Sequence, residues 1–322
     1  MPFFRKQYCV VFLAAVIAGS ASPDPVFGLS DQVGTRAYPF LRIPVDARAV
    51  GMGGAATSVV RGPFALDWNP AGAASVNRPT IGTSYLDYLL SGVHSGGIYF
   101  LQPAGNRGTY GFMIRYFRAG DIQETTQDNP TGEGLPTFQS TDIVARAAFA
   151  FRLSPDFYTG LTLGVISGGI ADESSFGFTS DYGVLWKDAW RKLNLAGAVR
   201  HAGAQTSAYV AVTDPLPVTV SGGASYDFFD RVLVAVDYGW SLDWEGTVDM
   251  GIEWEAVPDF FLRAGRQSRI ADYQDFQNDA GLAGLTFGAG LRKIRSYQVD
   301  YGYASFGELG GTHRISLVLE IQ

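Results

Sequence analysis

Fourteen stretches of this chain alternate apolar and polar residues with a period of two. In "VLVAVDYGW" (232–240) one face reads Val232, Val234, Val236, Tyr238 and Trp240, and the other Leu233, Ala235, Asp237 and Gly239. In "YQVDYGY" (297–303), Tyr297, Val299, Tyr301 and Tyr303 oppose Gln298, Asp300 and Gly302. "RISLVLEI" sets Ile315, Leu317, Leu319 and Ile321 against Arg314, Ser316, Val318 and Glu320. Period two is the repeat of a β-strand with two different faces. The segments lie near 79–90, 92–103, 107–119, 138–152, 157–170, 175–187, 192–204, 217–227, 231–242, 246–255, 259–268, 280–291, 295–306 and 312–322. Most hold the roughly 9–11 residues that a tilted membrane-spanning strand needs, and an even number suits a single-chain barrel.

The connections alternate as well. "AGNR", "SPD", "DAWRK", "FFDR", "VPD" and "KIRS" are tight and follow even-numbered segments. Long connections follow the third, seventh and eleventh: "GDIQETTQDNPTGEGLPT", "AQTSAYVAVTDPLP" and "RIADYQDFQND". Short turns on one side and long loops on the other describe an outer-membrane barrel, short side to the periplasm. Arg115, Arg146, Asp181, Arg200, Asp237, Glu253, Arg263, Arg314 and Glu320 share the polar faces. Trp186, Tyr226, Trp240, Trp254 and Tyr303 fall near segment ends, where an interfacial aromatic girdle belongs. A soluble sandwich alternates too, but its apolar face points inward. Loop parity and segment length favour the barrel: an all-β, transmembrane outer-membrane fold of about 14 antiparallel strands.

The beginning of the chain reads as an export signal. Arg5 and Lys6 precede "CVVFLAAVIAG", and small residues and prolines follow. The apolar run is shorter than the roughly 20 residues of a spanning helix, so it predicts a signal peptide over 1–28, cut after Ala21 or Gly28. Cys9 leaves with it, and the remaining chain has no thiol for a disulfide, a metal or a nucleophile. Removing Arg5, Lys6 and Asp24 from 24 basic and 31 acidic residues leaves 22 against 30, a net charge of −8. That balance argues against a nucleic-acid partner. The basic residues are mostly Arg, whose weakly hydrated guanidinium suits enclosed sites.

Residues 29–78 break the pattern. "RAVGMGG" (48–54) and "WNPAG" (68–72) are rich in small residues and have no strand period. Asn69 suits the cap of a short helix and Pro70 its first position. About eight strands close around their own side chains, and 16–18 leave a channel. Fourteen strands therefore call for a filling, and this segment predicts a small N-terminal plug with Trp68 as its wedge, followed by a barrel over 79–322.

"FLRIPVDARAVGMGGAATSVV…ALDWNPAGAA" resembles the N-terminal region of the PorV/PorQ family, outer-membrane barrels related to the FadL transporters. The resemblance continues in "DPLPVTVSGGASY" (214–226), "FFLRAG" (260–265) and "THRISL" (312–317). By position, Arg48, Gly51, Gly53, Gly54, Asn69, Pro70, Ala71 and Gly72 match the N-terminal motif, with Trp68 beside it. Thr312, His313, Arg314 and Ser316 match the C-terminal strand motif. Where the family commonly has acidic residues before Asn-Pro, this chain has Arg61, Gly62 and Pro63. The resemblance implies a FadL-like barrel in outer-membrane lipid of a Gram-negative cell. It also implies a part in type IX secretion, with a translocon or attachment complex and sorting-domain cargo as partners. The alternative it leaves open is a FadL-like transporter for long-chain fatty acids or other hydrophobic compounds. Cargo or partner contacts are expected on 120–137, 205–216 and 269–279.

Chemistry-bearing patterns are sparse. "GMGGAA" fits a dinucleotide fingerprint but lacks the strand and long helix that would position it. His94, His201 and His313 stand singly, without metal-ligand spacing, and read as lumen or interface residues rather than ligands. Glu253 and Glu255 share a face, where solvation or pairing with Arg263 on the next strand is expected rather than a carboxylate pair. "DYQDFQND" reads as an acidic external loop before it reads as a weak calcium site. No catalytic residue, cofactor or metal is expected, and the chain does not read as an enzyme.

Overall fold

The computed structural model describes residues 34–89, 92–105, 108–241, 243–268, 282–293 and 296–321. The expected signal peptide, the loop 269–279 and its "DYQDFQND" run lie outside these residues. Fourteen antiparallel strands form one closed ring. They are β1 (Thr80–Asp87), β2 (Val93–Ala104), β3 (Gly108–Gln123), β4 (Thr137–Arg152), β5 (Phe157–Ile170), β6 (Glu173–Trp190) and β7 (Leu193–Ser207). The ring continues with β8 (Thr219–Phe228), β9 (Val232–Ser241), β10 (Trp244–Val257), β11 (Phe260–Gln267), β12 (Leu285–Lys293), β13 (Tyr297–Ser305) and β14 (Gly311–Glu320). Each strand pairs with its sequence neighbours, and β14 closes on β1 with Thr80 opposite Glu320 and Asp87 opposite His313. Closure pairs the edges that would otherwise expose backbone N–H and C=O groups to hydrocarbon.

The sequence alternation becomes an inside–outside rule. Along β1 burial alternates residue by residue, with Ser84 and Leu86 buried and Ile81 and Tyr85 exposed. Outward-facing Ile98, Phe112, Ile114, Leu163, Phe178 and Ile315 are exposed, while Arg115, Arg146, Asp181, Glu253, Arg263 and Arg314 are buried. In water such an apolar belt would be a large aggregation surface. Around a barrel it faces lipid, and the charges face the lumen.

Several strands run further than the sequence suggests. β3 continues to Gln123 through a register shift between Ala119 and Ile122, where Asp121 takes φ 55°. β6 spans 18 residues, and β5 joins it through a turn of two residues. Two segments expected to begin earlier start later: β12 at Leu285 and β8 at Thr219. A second irregularity matters more. Between Ser180–Ala202 and Tyr182–Val199, two β7 residues, Arg200 and His201, oppose the single Asp181. Such a bulge re-aims side chains. Here His201 takes φ 60° and is buried beside Arg200.

The segment before β1 carries two short helices, α1 (Ala47–Gly51) and α2 (Ala65–Trp68), with 3₁₀ turns at Pro39–Arg42 and Pro70–Ser75. It lies within the ring, because it touches opposite walls from the inside. α1 packs on β11 to β14, and Pro70–Ser75 packs on β3 to β6. Its direction is defined by its ends. Near the long loops, the Ala37 N–H donates to Pro215 O (3.0 Å) and Arg42 Nη1 donates to Asp243 Oδ2 (2.8 Å). Near the short turns, Pro79 O accepts from the Ile321 N–H at 2.8 Å as the chain enters β1. The segment therefore threads the barrel from the long-loop mouth to the short-turn mouth.

This threading predicts that a cysteine replacing Thr35 reacts with a membrane-impermeant maleimide under the same conditions as one replacing Asp128 in the β3–β4 loop. A cysteine replacing Pro155 in the β4–β5 turn should need permeabilised cells. Joint labelling of the Thr35 and Pro155 variants, without the Asp128 variant, would reverse the threading.

Candidate functional site

The densest polar chemistry lies where the lumenal segment meets the wall. Asp67, on α2, is its centre. Its carboxylate accepts from Tyr99 Oη on β2 (2.5 Å) and Arg115 Nη1 on β3 (3.2 Å), and Arg146 Nη1 on β4 lies 3.5 Å away. Arg146 also pairs with Asp181 on β6 at 3.0 Å. Asp181 in turn accepts from Thr162 Oγ1 (2.8 Å) and the His201 N–H (2.6 Å). Arg115 Nη2 reaches back to Phe40 O at 2.8 Å, and Arg200 Nη1 to Asp67 O at 3.3 Å. The Arg200 guanidinium also lies 5.2 Å from the Trp68 ring centre. Apart from the partly exposed Arg200, these groups are almost wholly buried. Breaking a buried pair by removing one partner strands the other charge.

A second network clamps α1. Arg48 forks onto Glu253 of β10, with Nε to Oε2 at 2.9 Å and Nη2 to Oε1 at 2.7 Å. Arg263 of β11 meets the same carboxylate at 2.6 Å and Asp300 of β13 at 2.8 Å. Asp46 caps α1 by accepting from the Arg48 and Ala49 N–H groups at 3.0 and 3.3 Å. Burial pushes this carboxyl up to about 7, with the nearby Asp300 charge adding to the effect, although Arg48 opposes it. At the long-loop mouth, Arg42 holds Asp243. Burial alone would raise that carboxyl, but the Arg42 and Ser241 hydrogen bonds win and lower it to about 2.

Elsewhere the wall grips the segment's backbone. Asp237 Oδ2 accepts from the Ala56 and Thr57 N–H groups at 2.9 and 2.7 Å. Thr286 Oγ1 accepts from the Gly53 N–H at 3.0 Å, and Ser316 Oγ from the Ala47 N–H at 2.9 Å. Arg314 Nε donates to Pro44 O at 2.8 Å. The inward charges thus serve largely as fasteners for a segment too short to satisfy its own backbone.

The residues singled out from the sequence fall at these contacts. Asn69 Oδ1 caps the 3₁₀ turn by accepting from the Ala71 N–H at 3.1 Å, with Pro70 at its first position. Asn69 Nδ2 donates to Thr57 O and Val184 O, both at 3.0 Å, tying the turn to the segment and to β6. Ala71 and Gly72 are buried, and Trp68 is buried under Arg200. Gly53, at φ 68°, lies so close to the wall that a Cβ would sit 2.2 Å from Met250 O. On the wall side, a Cβ at Gly183 would sit 1.9 Å from Asn69 Oδ1. Gly51 meets Gly288 backbone to backbone, and Gly54 faces Gln267 and Asp249. The C-terminal motif divides: Thr312, Arg314 and Ser316 face inward, with Arg314 Nη1 donating to Thr312 Oγ1 at 2.5 Å. His313 faces outward, its Nδ1 2.7 Å from Tyr301 Oη. Outward His94 lies between the rings of Tyr85 and Tyr116. Glu255 does not join Glu253; its Oε1 accepts from the Asp259 N–H at 3.1 Å.

Sequence reading missed Asp46 and Asp67, and although it reads His201 as a lumen or interface residue, it does not foresee the contact with Asp181. Asp67 was legible only as an acid inside an apolar run. His201 depends on the bulge, which carries no local signal. The rest of the lumen holds a polar cavity of about 100 Å³ among Arg42, Asp67, Arg115, Arg200, His201 and Asp237. Among the described residues no group of three or more His, Cys, Asp or Glu is placed to hold a metal ion.

Replacing Asp67 by Ala should destabilise the barrel by about 3–5 kcal/mol, because Arg115 and Arg146 lose their shared carboxylate. Urea titration of heat-modifiable gel migration checks this, with Glu133→Ala in the exposed β3–β4 loop as an unaffected control. Asp46 gives a pH signature of opposite origin. A carboxyl that binds its proton more tightly when folded costs stability once ionised, so stability falls as pH rises from about 4 to about 7. Asp46→Asn keeps a good cap and should match the wild type at pH 4 and exceed it above pH 7. A constant difference across that range would contradict the assignment.

Residues 29–166 match the family model described as Type IX secretion system protein PorV. No curated protein matches the chain. Among solved structures, the Ralstonia pickettii toluene transporter TbuX has a TM-score of 0.54 at 13% identity, covering 86% of this chain and 96% of that one. The Pseudomonas putida toluene transporter TodX gives 0.58 at 12% identity, covering 86% and 96%. A Pseudomonas aeruginosa FadL homologue gives 0.56 at 12%, covering 86% and 98%. At these identities the likeness is one of fold. The chain is thus similar to the PorV family through its lumenal segment, β1 to β4 and most of β5, within the fold of FadL-like outer-membrane β-barrels.

Proposed function

We propose that this protein is an outer-membrane component of type IX secretion that binds or shuttles sorting-domain cargo at the cell surface. The observation that carries the reading is the PorV match, which spans the lumenal segment together with β1 to β4 and most of β5. On this reading residues 29–78 are a plug, and the barrel from 79 onward is a scaffold whose working surface is its long-loop rim. The fastened segment supports it: a lumen crossed by Asp67–Arg115–Arg146 and Arg48–Glu253–Arg263 gives an alkyl chain few apolar partners. Burying a methylene gains about 0.8 kcal/mol only against apolar surface.

The rim has a contact surface to offer. The β7–β8 loop, 208–218, exposes Val210 (90%) and Val212 (76%), anchored beside them by Tyr209 Oη to Asp142 at 3.4 Å. Two exposed valines on an ordered outer loop suit a protein partner better than water. The expected loop 205–216 is shortened by β7, which runs to Ser207, and 120–137 reduces to a connection over 124–136.

A second reading, a carrier for hydrophobic compounds, draws on the toluene transporters of the same fold. Two experiments separate the readings. Deleting the gene should strand sorting-domain cargo in the periplasm and leave uptake of toluene and long-chain fatty acids unchanged. Val210→Asp with Val212→Asp should reduce cargo at the surface while heat-modifiable barrel remains at wild-type level. Loss of hydrophobic uptake with normal cargo display would select the carrier.

A further inference from the structure

The polar cavity of about 100 Å³ and a vestibule of about 640 Å³ at the short-turn mouth lie along the same inner wall. On β8, Thr219 and Ser221 line the cavity, and Ser225 and Asp227 line the vestibule, with Gly223 between them. On β9, Ser241, Gly239 and Asp237 line the cavity and Leu233 the vestibule, with Ala235 between them. The lumenal segment makes the same division over adjacent residues: Thr57 lines the cavity and Ser58 the vestibule. The partition is therefore one turn of chain, 56–58, against two small wall residues. Asp237 Oδ2 holds this turn through the Ala56 and Thr57 N–H groups, and Thr57 Oγ1 donates to Ser221 Oγ at 3.2 Å. A Cβ at Gly223 would sit 2.2 Å from Asp237 Oδ1 and 3.0 Å from Thr57 Cβ, so the missing side chain lets the wall close on the turn. Met52, Ala55 and Val59 pack with Ala235 on its flank.

Polar atoms on both sides of the turn lack a protein partner. Arg200 Nε, His201 Nδ1 and Asp237 Oδ1 at the cavity, and Ser58 Oγ at the vestibule, have no hydrogen-bond partner among the described residues. His201, Asp237 and Ser58 are buried. A guanidinium N–H only donates, a carboxylate oxygen only accepts, and a hydroxyl does both. An anion would suit Arg200 and be repelled by Asp237, and a cation would do the reverse. Water satisfies both, and the cavity has room for several molecules at roughly 10–15 Å³ each. We propose that the two chambers are wetted and form a path for water and small inorganic ions between the lumenal segment and β8–β9, gated by the 56–58 turn on Asp237. The apolar contact on the Ala235 flank excludes water and closes the path at rest, and release of the Ala56 and Thr57 N–H groups from Asp237 joins the chambers. The path is independent of the secretion reading, since a gate one turn wide passes no folded cargo.

The test measures current through the full chain in planar lipid bilayers bathed in potassium chloride. Thr57→Gly removes the side chain that meets Ser221 and Gly223, and it should raise the mean current about threefold or more over wild type. In the Thr57→Gly background, Ser221→Cys and Ser225→Cys place a thiol on either side of the turn. A sulfonatoethyl methanethiosulfonate reagent should then cut the current by about half or more at each cysteine and leave Thr57→Gly itself unaffected. Thr286→Val removes the fastener of the Gly53 N–H on the β12 wall, away from the path, and should match wild type. Heat-modifiable migration verifies that every variant is folded. A Thr57→Gly current no higher than wild type, an equal rise in Thr286→Val, or a current that the reagent leaves unchanged at either cysteine overturns the path.

Discussion

A ring of fourteen strands encloses more space than its own inward side chains fill, and the other features of the lumen follow from that. Small barrels close on their own residues, and larger ones leave water. Here the space is taken by a segment of chain with almost no regular structure, whose helices are only five and four residues long. Helices so short are unstable alone. Their backbone groups need partners, and the wall supplies them through Asp237, Thr286, Ser316, Arg115 and Arg314. Wall and segment are therefore one folding unit. Close approach requires wall residues without side chains, and Gly160, Gly183, Gly251, Gly265 and Gly302 stand where the segment's backbone or the Asn69 side chain touches.

The same geometry changes the meaning of the inward charges. An Arg-rich lumen in an open barrel would suggest a selective channel. In this barrel Arg115 and Arg146 are spent on Asp67, and Arg263 on Glu253 and Asp300. The pairing neutralises much of the inward charge where the segment meets the wall. It also makes the segment costly to withdraw, since each departing residue leaves a buried charge on the wall. Among the described residues, Arg61, Arg78 and Arg292 at the short-turn mouth have no carboxylate at ion-pair distance, although Asp227 and Glu320 line the same space.

The fold was legible because strand period is a local property. Each of the fourteen segments announces itself, and the even count and loop parity need only adding up. The capping role of Asn69 and Pro70 was legible for the same reason: cap chemistry acts over two or three residues. Pairing of Glu253 with Arg263 was visible as an expectation between adjacent strands. What sequence could not supply was depth and distance. Asp67 meets Arg115 and Arg146 only after the barrel closes, and the acid is separated from them by 48 and 79 positions. Arg200 and His201 both turn inward through a bulge, against strict alternation. His313 lies in the C-terminal motif yet points away from the segment its neighbours hold.

Threading adds a directional argument. The segment enters beside Pro215 and Asp243 and leaves at Pro79, so its two ends sit at opposite mouths. Its anchors differ accordingly. The long-loop end is held by Arg42 on Asp243, a carboxyl kept ionised down to about pH 2. The middle is held by Asp67, and the short-turn half by Arg48 and by an Asp46 whose ionisation is itself penalised by burial. The two ends are thus anchored by different chemistry: the Arg42–Asp243 pair at the long-loop mouth, and the buried Arg48–Glu253–Arg263–Asp300 network in the short-turn half. A single continuous chain, fastened along its length, therefore joins the two mouths.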